Sequence, residues 1–303
     1  MSADPVEAVA RAVLYEGYLL YPYTRSAAKN QVRWTFGGVY PPTWEADPST
    51  MRTECLLRPE AGCRVAVSVR CLQLVRRTSS DEPPWQEAAE RTAAEFEVDP
   101  GELLAGPRRV EVRLPAGRES EAGVDREWLA IEGRAVVAAE PVEAGALRLA
   151  VELENTTPAP AGLDREAALL RSMVSTHTVL RVTRGAFVSL ADPPSELAAA
   201  AAACANVGTW PVLAGEPGSS DTVLSSPIIM EDHPRVAEES PGDLFDATEI
   251  DEILTLRILT LSDAEKDELR RTDERGRQLL DRCESLTGDE LLRLHGTLRG
   301  GDR

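Results

Sequence analysis

Hydrophobic and polar residues alternate with a period of two through the middle of the chain. The alternation is clearest at 63–71 and 110–114, and apolar segments of similar length follow at 126–139 and 146–155. Successive side chains of a strand point to opposite faces, so this pattern predicts half-buried strands. Turns rich in Gly, Pro and Glu separate the segments, which is typical of an antiparallel sheet. We therefore predict an antiparallel, β-sandwich-like domain at 51–158.

A helical period marks both ends of the chain. Residues 4–7 form a capping box with proline at the first helical position, which predicts a helix that runs to about residue 20. Three further capping boxes begin at Asp246, Ser262 and Thr287, and each is followed by an apolar stripe at helical spacing. The segment 246–303 is therefore predicted to be a three-helix unit.

The rest of the chain has mixed patterns. Within the β segment, the polar insertion at 79–103 is predicted to be partly helical around 85–96. The region after residue 158 is predicted to contain a helix at 164–174, a hairpin at 179–190 that turns near Arg184 and Gly185, and an alanine-rich helix from Asp192 to Cys204. A stretch rich in Gly, Pro, Ser and Asp follows at 205–245, with one strand predicted at 223–230. An irregular stretch of this length usually indicates function or partner contact.

These patterns together predict an α+β fold in four parts. They are an N-terminal helix and aromatic segment at 1–50, the antiparallel β domain at 51–158, a mixed helix and hairpin region with a long irregular stretch at 159–245, and the C-terminal helical unit at 246–303. Hydrophobic residues make up 43% of the 303, which allows a sizeable buried core and excludes a wholly disordered chain.

Net charge and cysteine content limit the partners and the location of the protein. The chain carries 51 acidic and 33 basic residues, for a net charge of −18. Because this negative charge repels the phosphates of DNA and RNA, we expect no nucleic-acid partner. No apolar run approaches the ~20 residues that span a bilayer, so we expect no membrane insertion. The N-terminus has no basic segment followed by an apolar one, so we expect no export. The five cysteines form no C-x-x-C pair, which favours a reducing, cytoplasmic location.

Familiar catalytic and cofactor-binding motifs are absent from the sequence. It has no phosphate-binding loop, no dinucleotide-binding glycine pattern, no G-x-S-x-G and no H-E-x-x-H. We therefore assign no catalytic residue, no metal ligand and no cofactor. Cys55, Cys63 and Cys71 are spaced eight residues apart, too far to share a metal on one strand, and are predicted to be small buried hydrophobes. His177 has hydroxyl neighbours suited to acid–base work, but we favour a structural hydrogen-bonding role at an element junction.

Glu231, Asp232 and His233 place three potential metal ligands side by side in the irregular region. Oxygen and imidazole ligands bind divalent cations, although neighbouring residues converge on one ion only at a turn. The alternatives are a structural hydrogen-bonding cluster and a surface that contacts a partner. The segment 231–252 carries nine acidic residues against one arginine, which is either a solvated helix start or an acidic patch for a basic partner.

Aromatic residues are concentrated near the N-terminus, where all five tyrosines lie within the first 40 residues. Tyr, Trp and Arg dominate the hot spots of protein interfaces, but aromatic residues serve equally well to close an apolar core. Both alternatives stay open for this aromatic segment. The residues that we predict to contact a protein partner are Tyr21, Tyr23, Arg33, Trp34, Trp210, Asp232 and His233.

Four segments carry a resemblance to a known family: 15–23 (YEGYLLYPY), 29–37 (KNQVRWTFG), 206–211 (NVGTWP) and 225–258. In these segments the chain resembles an uncharacterised bacterial family encoded among the accessory genes of nickel–iron uptake hydrogenases. The resemblance extends over most of the chain. It implies a context, hydrogenase expression or assembly, but no mechanism, because these segments carry no known chemistry and no catalytic residue is transferred through them.

The leading hypothesis is a non-catalytic accessory or assembly protein that acts through protein–protein contact. Its expected partner is a hydrogenase subunit or maturation factor. One alternative is a metal-dependent enzyme with a carboxylate and histidine site around Asp232 and His233. Another is a small-molecule binding module that uses the N-terminal aromatic segment.

Overall fold

The structure, a computed structural model, describes residues 5–16, 36–80, 85–121 and 123–235, together with the single positions 266, 277, 280 and 281. The chain divides into two compact units, the first comprising Met1–Leu14 and Thr35–Pro234, the second Tyr15–Trp34 and Arg235–Arg303. The four single positions belong to the second unit and are helical. The predicted contacts Tyr21, Tyr23, Arg33 and Trp34, and the rest of the predicted three-helix unit, lie outside the described residues.

The described part of the first unit is mainly β, with short helices. Its strands are β1 (Thr50–Ser79), β2 (Trp85–Val98), β3 (Arg108–Leu114), β4 (Gly117–Glu121), β5 (Val124–Trp128), β6 (Ile131–Pro141), β7 (Leu147–Asn155), β8 (Val174–Val188), β9 (Trp210–Leu213) and β10 (Thr222–Ser226). Its helices are α1 (Pro5–Glu16), α2 (Pro100–Leu103), α3 (Arg165–Leu169) and α4 (Ala198–Ala202), with 3₁₀ turns at Glu143–Gly145 and Ser195–Leu197. The predicted antiparallel character of the middle of the chain is confirmed.

The described strands all belong to one antiparallel sheet, ordered β3-β6-β7-β1-β8-β10-β9 along its main path. β1 is 30 residues long and pairs with four other strands. Along one edge it pairs with β7 and then β2, and along the other with β8 and then β5. β8, β9 and β10 follow the predicted boundary at residue 158 but join this same sheet.

One face of the sheet carries the main apolar core. The odd-numbered residues of β1 from Cys63 to Cys71 are buried in it, as the period-two pattern predicts. Alternate residues of β3, β6, β7 and β8 also belong to it, among them Val112, Val137, Val151 and Leu180. Burial raises the pKa of the Cys71 thiol to about 12, so the sulfur stays protonated and packs as a small hydrophobe.

The segment predicted to be helical at 85–96 is a strand, β2, which pairs with β1. Its sequence favours a helix because Ala, Glu, Gln and Arg dominate it. The pairing register shifts between Thr92 and Ala94, so Ala93 is an extra residue that forms a bulge. Ala93 and Ala94 are both buried, and two buried residues in succession interrupt the period-two signal. Pairing with β1 therefore outweighs the helical propensity of this segment.

Two predicted strand boundaries are wrong. The predicted hairpin at 179–190 is instead part of β8, which continues through Arg184 without reversing. Arg184 has a φ of 58°, and the register against β1 shifts here between Pro59 and Arg64, so residues 60–63 of β1 bulge out opposite Arg184. The single strand predicted at 126–139 is divided between β5 and β6, because two residues between them leave the sheet.

The helices of the middle region are shorter than their patterns predict. α3 covers five residues of the predicted 164–174, and Asp164 caps it by accepting a hydrogen bond from the Ala167 N–H. Val174, the last residue of that predicted helix, is the first residue of β8. The predicted alanine-rich helix is a 3₁₀ turn followed by α4, and it begins after Pro194 rather than at Asp192.

α1 begins at Pro5 as predicted and ends at Glu16. The helix packs against the face of the sheet opposite the main core. There the Glu7 carboxylate accepts hydrogen bonds of 2.5 and 2.9 Å from the Arg70 guanidinium. The same carboxylate lies 3.4 Å from a guanidinium nitrogen of Arg181, so α1 bridges β1 and β8. The apolar stripe of the helix is buried and consists of Val6, Val9, Ala10, Val13 and Leu14.

Gly133 in β6 is a position where a side chain is expected to destabilise the sheet. A Cβ atom there would lie 2.6 Å from the carbonyl oxygen of Glu154 in β7. We expect Gly133→Val to lower the free energy of unfolding by about 1–3 kcal/mol, because the two strands must separate to accommodate it. Urea denaturation measures the change. Glu132→Val, at the exposed neighbouring position, should change it by less than about 0.5 kcal/mol, and equal effects of both variants would contradict the expectation.

Candidate functional site

Four of the exposed large hydrophobic residues lie in chain segments that come together near one end of β10. Among the described residues, the large hydrophobic side chains that are exposed are Phe36, Leu104, Val207, Trp210 and Ile229. All except Leu104 lie near the C-terminal end of β10, and we call these four residues the apolar surface. Exposed hydrophobic residues are ordinary when scattered singly, but a group of them marks an interaction site.

The residues just before β9 are held firmly against β1. Val207 exchanges backbone hydrogen bonds of 2.9 and 3.0 Å with Arg52. The Asn206 side chain accepts from the Glu54 N–H at 2.7 Å and donates to the Glu54 carbonyl, so it pairs with β1 as a backbone would. Val207 and Trp210 therefore belong to a segment of chain that hydrogen bonds fix against β1.

Glu54 is the buried charge that anchors this segment. Its side chain is 6% exposed, and one carboxylate oxygen accepts hydrogen bonds from the Arg52 guanidinium at 2.5 and 3.0 Å. The other oxygen accepts from the Ala205 N–H at 2.7 Å. The hydrogen bond to Glu54 is the main cause that raises the pKa of Arg52. The carboxylate thus connects β1 to the chain that leaves α4.

A buried row of hydroxyl groups connects the same segment to β10. The Ser225 hydroxyl lies 2.8 Å from the Thr53 hydroxyl on one side and 2.8 Å from the Thr209 hydroxyl on the other. All three side chains are at most 2% exposed. Buried hydroxyl groups that satisfy one another fix the relative position of the elements that carry them. The base of Trp210 is therefore fixed to both β1 and β10.

Phe36 and Ile229 reach the apolar surface from two other segments. The Phe36 carbonyl accepts a hydrogen bond from the Ser175 N–H at 3.0 Å, at a point where β8 departs from β1. Gly37 packs so closely on Pro227 that a Cβ atom added to it would lie 2.6 Å from the proline ring. Ile229 follows two residues later and is 73% exposed. Trp210 is opposite Ser226 in the β9–β10 pair, so the segments that carry Phe36, Trp210 and Ile229 all lie next to the end of β10.

β9 is a terminal strand of the sheet, yet its outer edge is closed to a further strand. Pro211 has no N–H to offer at this edge. The outward N–H of Leu213 donates to the Asp232 carboxylate at 2.8 Å, and the Leu213 carbonyl accepts from the His233 N–H at 2.6 Å. Native proteins protect sheet edges in this way against unwanted pairing. A partner at this site is therefore expected to contact side chains, not to add a strand.

Asp232 and His233, predicted as partner contacts and weighed as metal ligands, are held in this edge cap. The second Asp232 oxygen accepts a 2.5 Å hydrogen bond from the Ser189 hydroxyl, so the carboxylate connects the end of β8 to β9. His233 has a φ of 57°, the turn conformation that brings its N–H to Leu213. Within the described ranges, no three His, Cys, Asp or Glu side chains are grouped so that they could hold a metal ion. The geometry favours the structural hydrogen-bonding alternative.

His177 is a buried residue within β8, whereas the sequence analysis places it at a junction between two elements. Its Nδ1 atom lies 3.3 Å from the Ser175 carbonyl oxygen, and the residue is 0% exposed. Burial is the main cause that lowers the pKa of His177 to about 4, so the imidazole is neutral at pH 7. A hydrogen-bonding role agrees with the prediction. Because the ring is fully buried in the described structure, a substrate in solution does not contact it there.

Sequence patterns identify Trp210 but not the other members of the apolar surface. Phe36, Val207 and Ile229 lie in segments rich in Gly, Pro and Ser, where an apolar residue gives no periodicity. The available signal is that a large hydrophobic residue in such a turn-rich segment has no helix or strand face to bury it.

None of the helices in the described ranges combines the length and the apolar character needed to cross a bilayer. No family model and no curated protein matches the sequence significantly.

Proposed function

We propose that this protein is a non-catalytic accessory or assembly factor that acts in the cytoplasm through contact with another protein. The observation that carries the proposal is the apolar surface formed by Phe36, Val207, Trp210 and Ile229. Interface centres are enriched in aromatic residues and large hydrophobes, and tryptophan is foremost among the residues that dominate binding energy. Trp210, at 43% exposure, is the central anchor of the proposed interface.

The way this surface is built supports a binding role. Glu54, the Asn206 side chain and the hydroxyl row around Ser225 fix the chain that presents Val207 and Trp210. A surface held in place before a partner arrives binds with a smaller loss of conformational entropy. Asp232, the centre of the alternative metal enzyme, already accepts hydrogen bonds from Ser189 and Leu213.

The hydrogenase context rests on the resemblance described above. Three of the segments that carry it, 29–37, 206–211 and 225–258, also supply the four residues of the apolar surface, Phe36, Val207, Trp210 and Ile229. The coincidence supports the proposal that the surface serves the shared role of that family. On this basis the proposed partner is a nickel–iron hydrogenase subunit or one of its maturation factors.

Replacing Trp210 by alanine should weaken partner binding selectively. Truncation of one interface anchor typically costs at least ~2 kcal/mol of binding free energy, which is roughly a thirtyfold loss of affinity. Affinity purification of the tagged chain from the source bacterium measures recovery of the partner. The melting midpoint should stay nearly unchanged, because Trp210 is exposed.

Leu104→Ala is the matched control, because Leu104 is also a large exposed hydrophobic residue but lies outside the apolar surface. Its partner recovery should equal that of the unchanged protein. Equal losses for both variants would remove the apolar surface from the proposal. Unfolding of the Trp210→Ala chain without a selective loss of partner would assign Trp210 a packing role instead.

Deletion of the gene tests the context separately from the surface. The deletion strain should lose hydrogen uptake activity, or accumulate immature hydrogenase, under conditions in which the enzyme is expressed. Unrelated metalloenzymes in the same cells should keep their activity. Unaltered hydrogen uptake would exclude the hydrogenase context and leave a different partner for the same surface.

A further inference from the structure

Three buried polar atoms lie close together on the face of the sheet that α1 covers. They are the Ser68 hydroxyl oxygen, Arg70 Nε and His177 Nε2, and none has a hydrogen-bond partner in the part of the chain that the structure describes. A buried polar group without a partner is unfavourable, because it has lost its hydrogen bonds to water and gained none in the protein. Three such atoms in neighbouring positions therefore require an explanation.

Strand register brings these atoms together. Arg70 of β1 is directly opposite His177 of β8, and Ser68 is directly opposite Val179. Ser68 and Arg70 are two residues apart on one strand, so all three side chains are on the same face. Cross-strand neighbours have Cβ atoms about 4.5–5.5 Å apart, and diagonal neighbours are still within reach of long side chains. One small molecule can contact all three groups.

The hydrogen-bonding capacity of each atom is determined by its surroundings. The Nδ1 atom of His177 lies 3.3 Å from the Ser175 carbonyl oxygen, which only accepts, so Nδ1 carries the proton. Nε2 of the neutral ring is then an acceptor. Arg70 Nε is a donor, while its two terminal nitrogens are engaged with Glu7. The Ser68 hydroxyl can donate or accept.

A site with one donor, one acceptor and one hydroxyl selects its ligand. Water can accept from Arg70 Nε, donate to His177 Nε2 and use the Ser68 hydroxyl for a third bond, which is the typical number for a buried water. A simple anion such as chloride accepts only, and would face the lone pair of His177 Nε2. We propose that Ser68, Arg70 and His177 bind one internal water molecule at the contact between α1 and the sheet.

This water adds a connection between α1 and the sheet to those that side chains already make. Arg70 holds Glu7 of α1, and Ser175, which orients the His177 ring, donates through its hydroxyl to the Val13 carbonyl of α1. The water thus completes a hydrogen-bonded path from Glu7 through Arg70 and His177 to the far end of the helix. It fixes the orientation of the imidazole with its Nε2 lone pair towards Arg70.

Nuclear magnetic resonance on the isotope-labelled full chain at pH 7 tests the site. We expect a cross-relaxation peak between the His177 ring proton Hε1 and a long-lived water, and nitrogen shifts that show the proton on Nδ1. Ser68→Val should abolish the water peak, because its methyl groups fill the site. Ala66→Val, two residues away on the same face but exposed, is the matched control and should retain it.

Several outcomes would overturn the proposal. They are a proton on Nε2 in the unchanged protein, absence of the water peak, or persistence of that peak in Ser68→Val. Movement of the His177 resonances when chloride is added would assign the site to an anion instead. Should Ser68→Val fail to fold, a crystal structure of the unchanged chain decides. The expected density peak lies within about 2.7–3.2 Å of both Arg70 Nε and His177 Nε2, and no peak there would contradict the proposal.

Discussion

Acidification from about pH 6.5 to about pH 4 is expected to lower the free energy of unfolding by roughly 3 kcal/mol through His177 alone. Burial lowers the pKa of His177 from its ordinary value of 6.5 to about 4 in the folded state. Between these two values the unfolded chain binds a proton that the folded chain does not, so stability falls as the pH falls. Above pH 6.5 both states are neutral at this residue, and its pH-dependent penalty is absent.

Urea denaturation at a series of pH values measures this effect as a difference between two chains. His177→Gln removes the titrating group, so its stability should fall less steeply between pH 6.5 and pH 4. His233→Gln, which changes a half-buried histidine in the β9 edge cap, should keep the steep profile of the unchanged protein. Parallel profiles for the unchanged protein and His177→Gln would contradict the expectation. The charged groups that act on the His177 ring are Arg70, Glu7 and Glu90, and these stay in place in both variants.

Replacing Glu54 by alanine is expected to lower the free energy of unfolding by about 2–3 kcal/mol. The change removes one of the two carboxylates that bind the Arg52 guanidinium and leaves the Ala205 N–H without its acceptor. Because Glu54 is 6% exposed, water cannot readily replace it as the acceptor of the Ala205 N–H. Chemical denaturation measures the loss, and partner recovery should fall with it because the segment that presents Trp210 loses its anchor.

Glu152→Ala is the matched control for Glu54→Ala. Glu152 binds the same Arg52 guanidinium at 3.0 Å, but its side chain is 42% exposed. Ion pairs at this exposure contribute at most about 1 kcal/mol, so the control should change stability little. A similar loss for both variants would show that Arg52, not the buried carboxylate, anchors the segment.

The strands that the sequence predicts are those whose pattern is dictated by a single buried face. In β1, β3 and β7 one face is apolar, and period two is visible in the residues themselves. β2 could not be predicted because its composition favours a helix and because its bulge at Ala93, which exists only in the pairing with β1, interrupts the period of two. The continuity of β8 was missed because the irregularity at Arg184 resembles a turn until its partner strand is known.

The candidate site likewise contains residues that the sequence predicts and residues that only the structure reveals. Trp210 could be chosen because tryptophan is common in interfaces whatever its surroundings. The exposure of Phe36, Val207 and Ile229 depends on Gly37 against Pro227 and on the Arg52 backbone, contacts between residues far apart in sequence. The role of Asp232 and His233 as an edge cap depends on β9, which no pattern in the irregular stretch predicts.

The length of β1 has a consequence for synthesis on the ribosome. β1 ends at Ser79, whereas its partner β8 ends at Val188, so 188 − 79 = 109 further residues must be made before that edge is paired. At about 5–20 residues per second, the edge of β1 that pairs with β8 stays without this partner for roughly 5–20 seconds. Exposed edges of this kind are prone to aggregate, so the burden on ribosome-associated chaperones falls mainly in this interval. Synonymous codons that slow translation between β1 and β8 should therefore reduce the yield of native protein more than the same codons placed after β10.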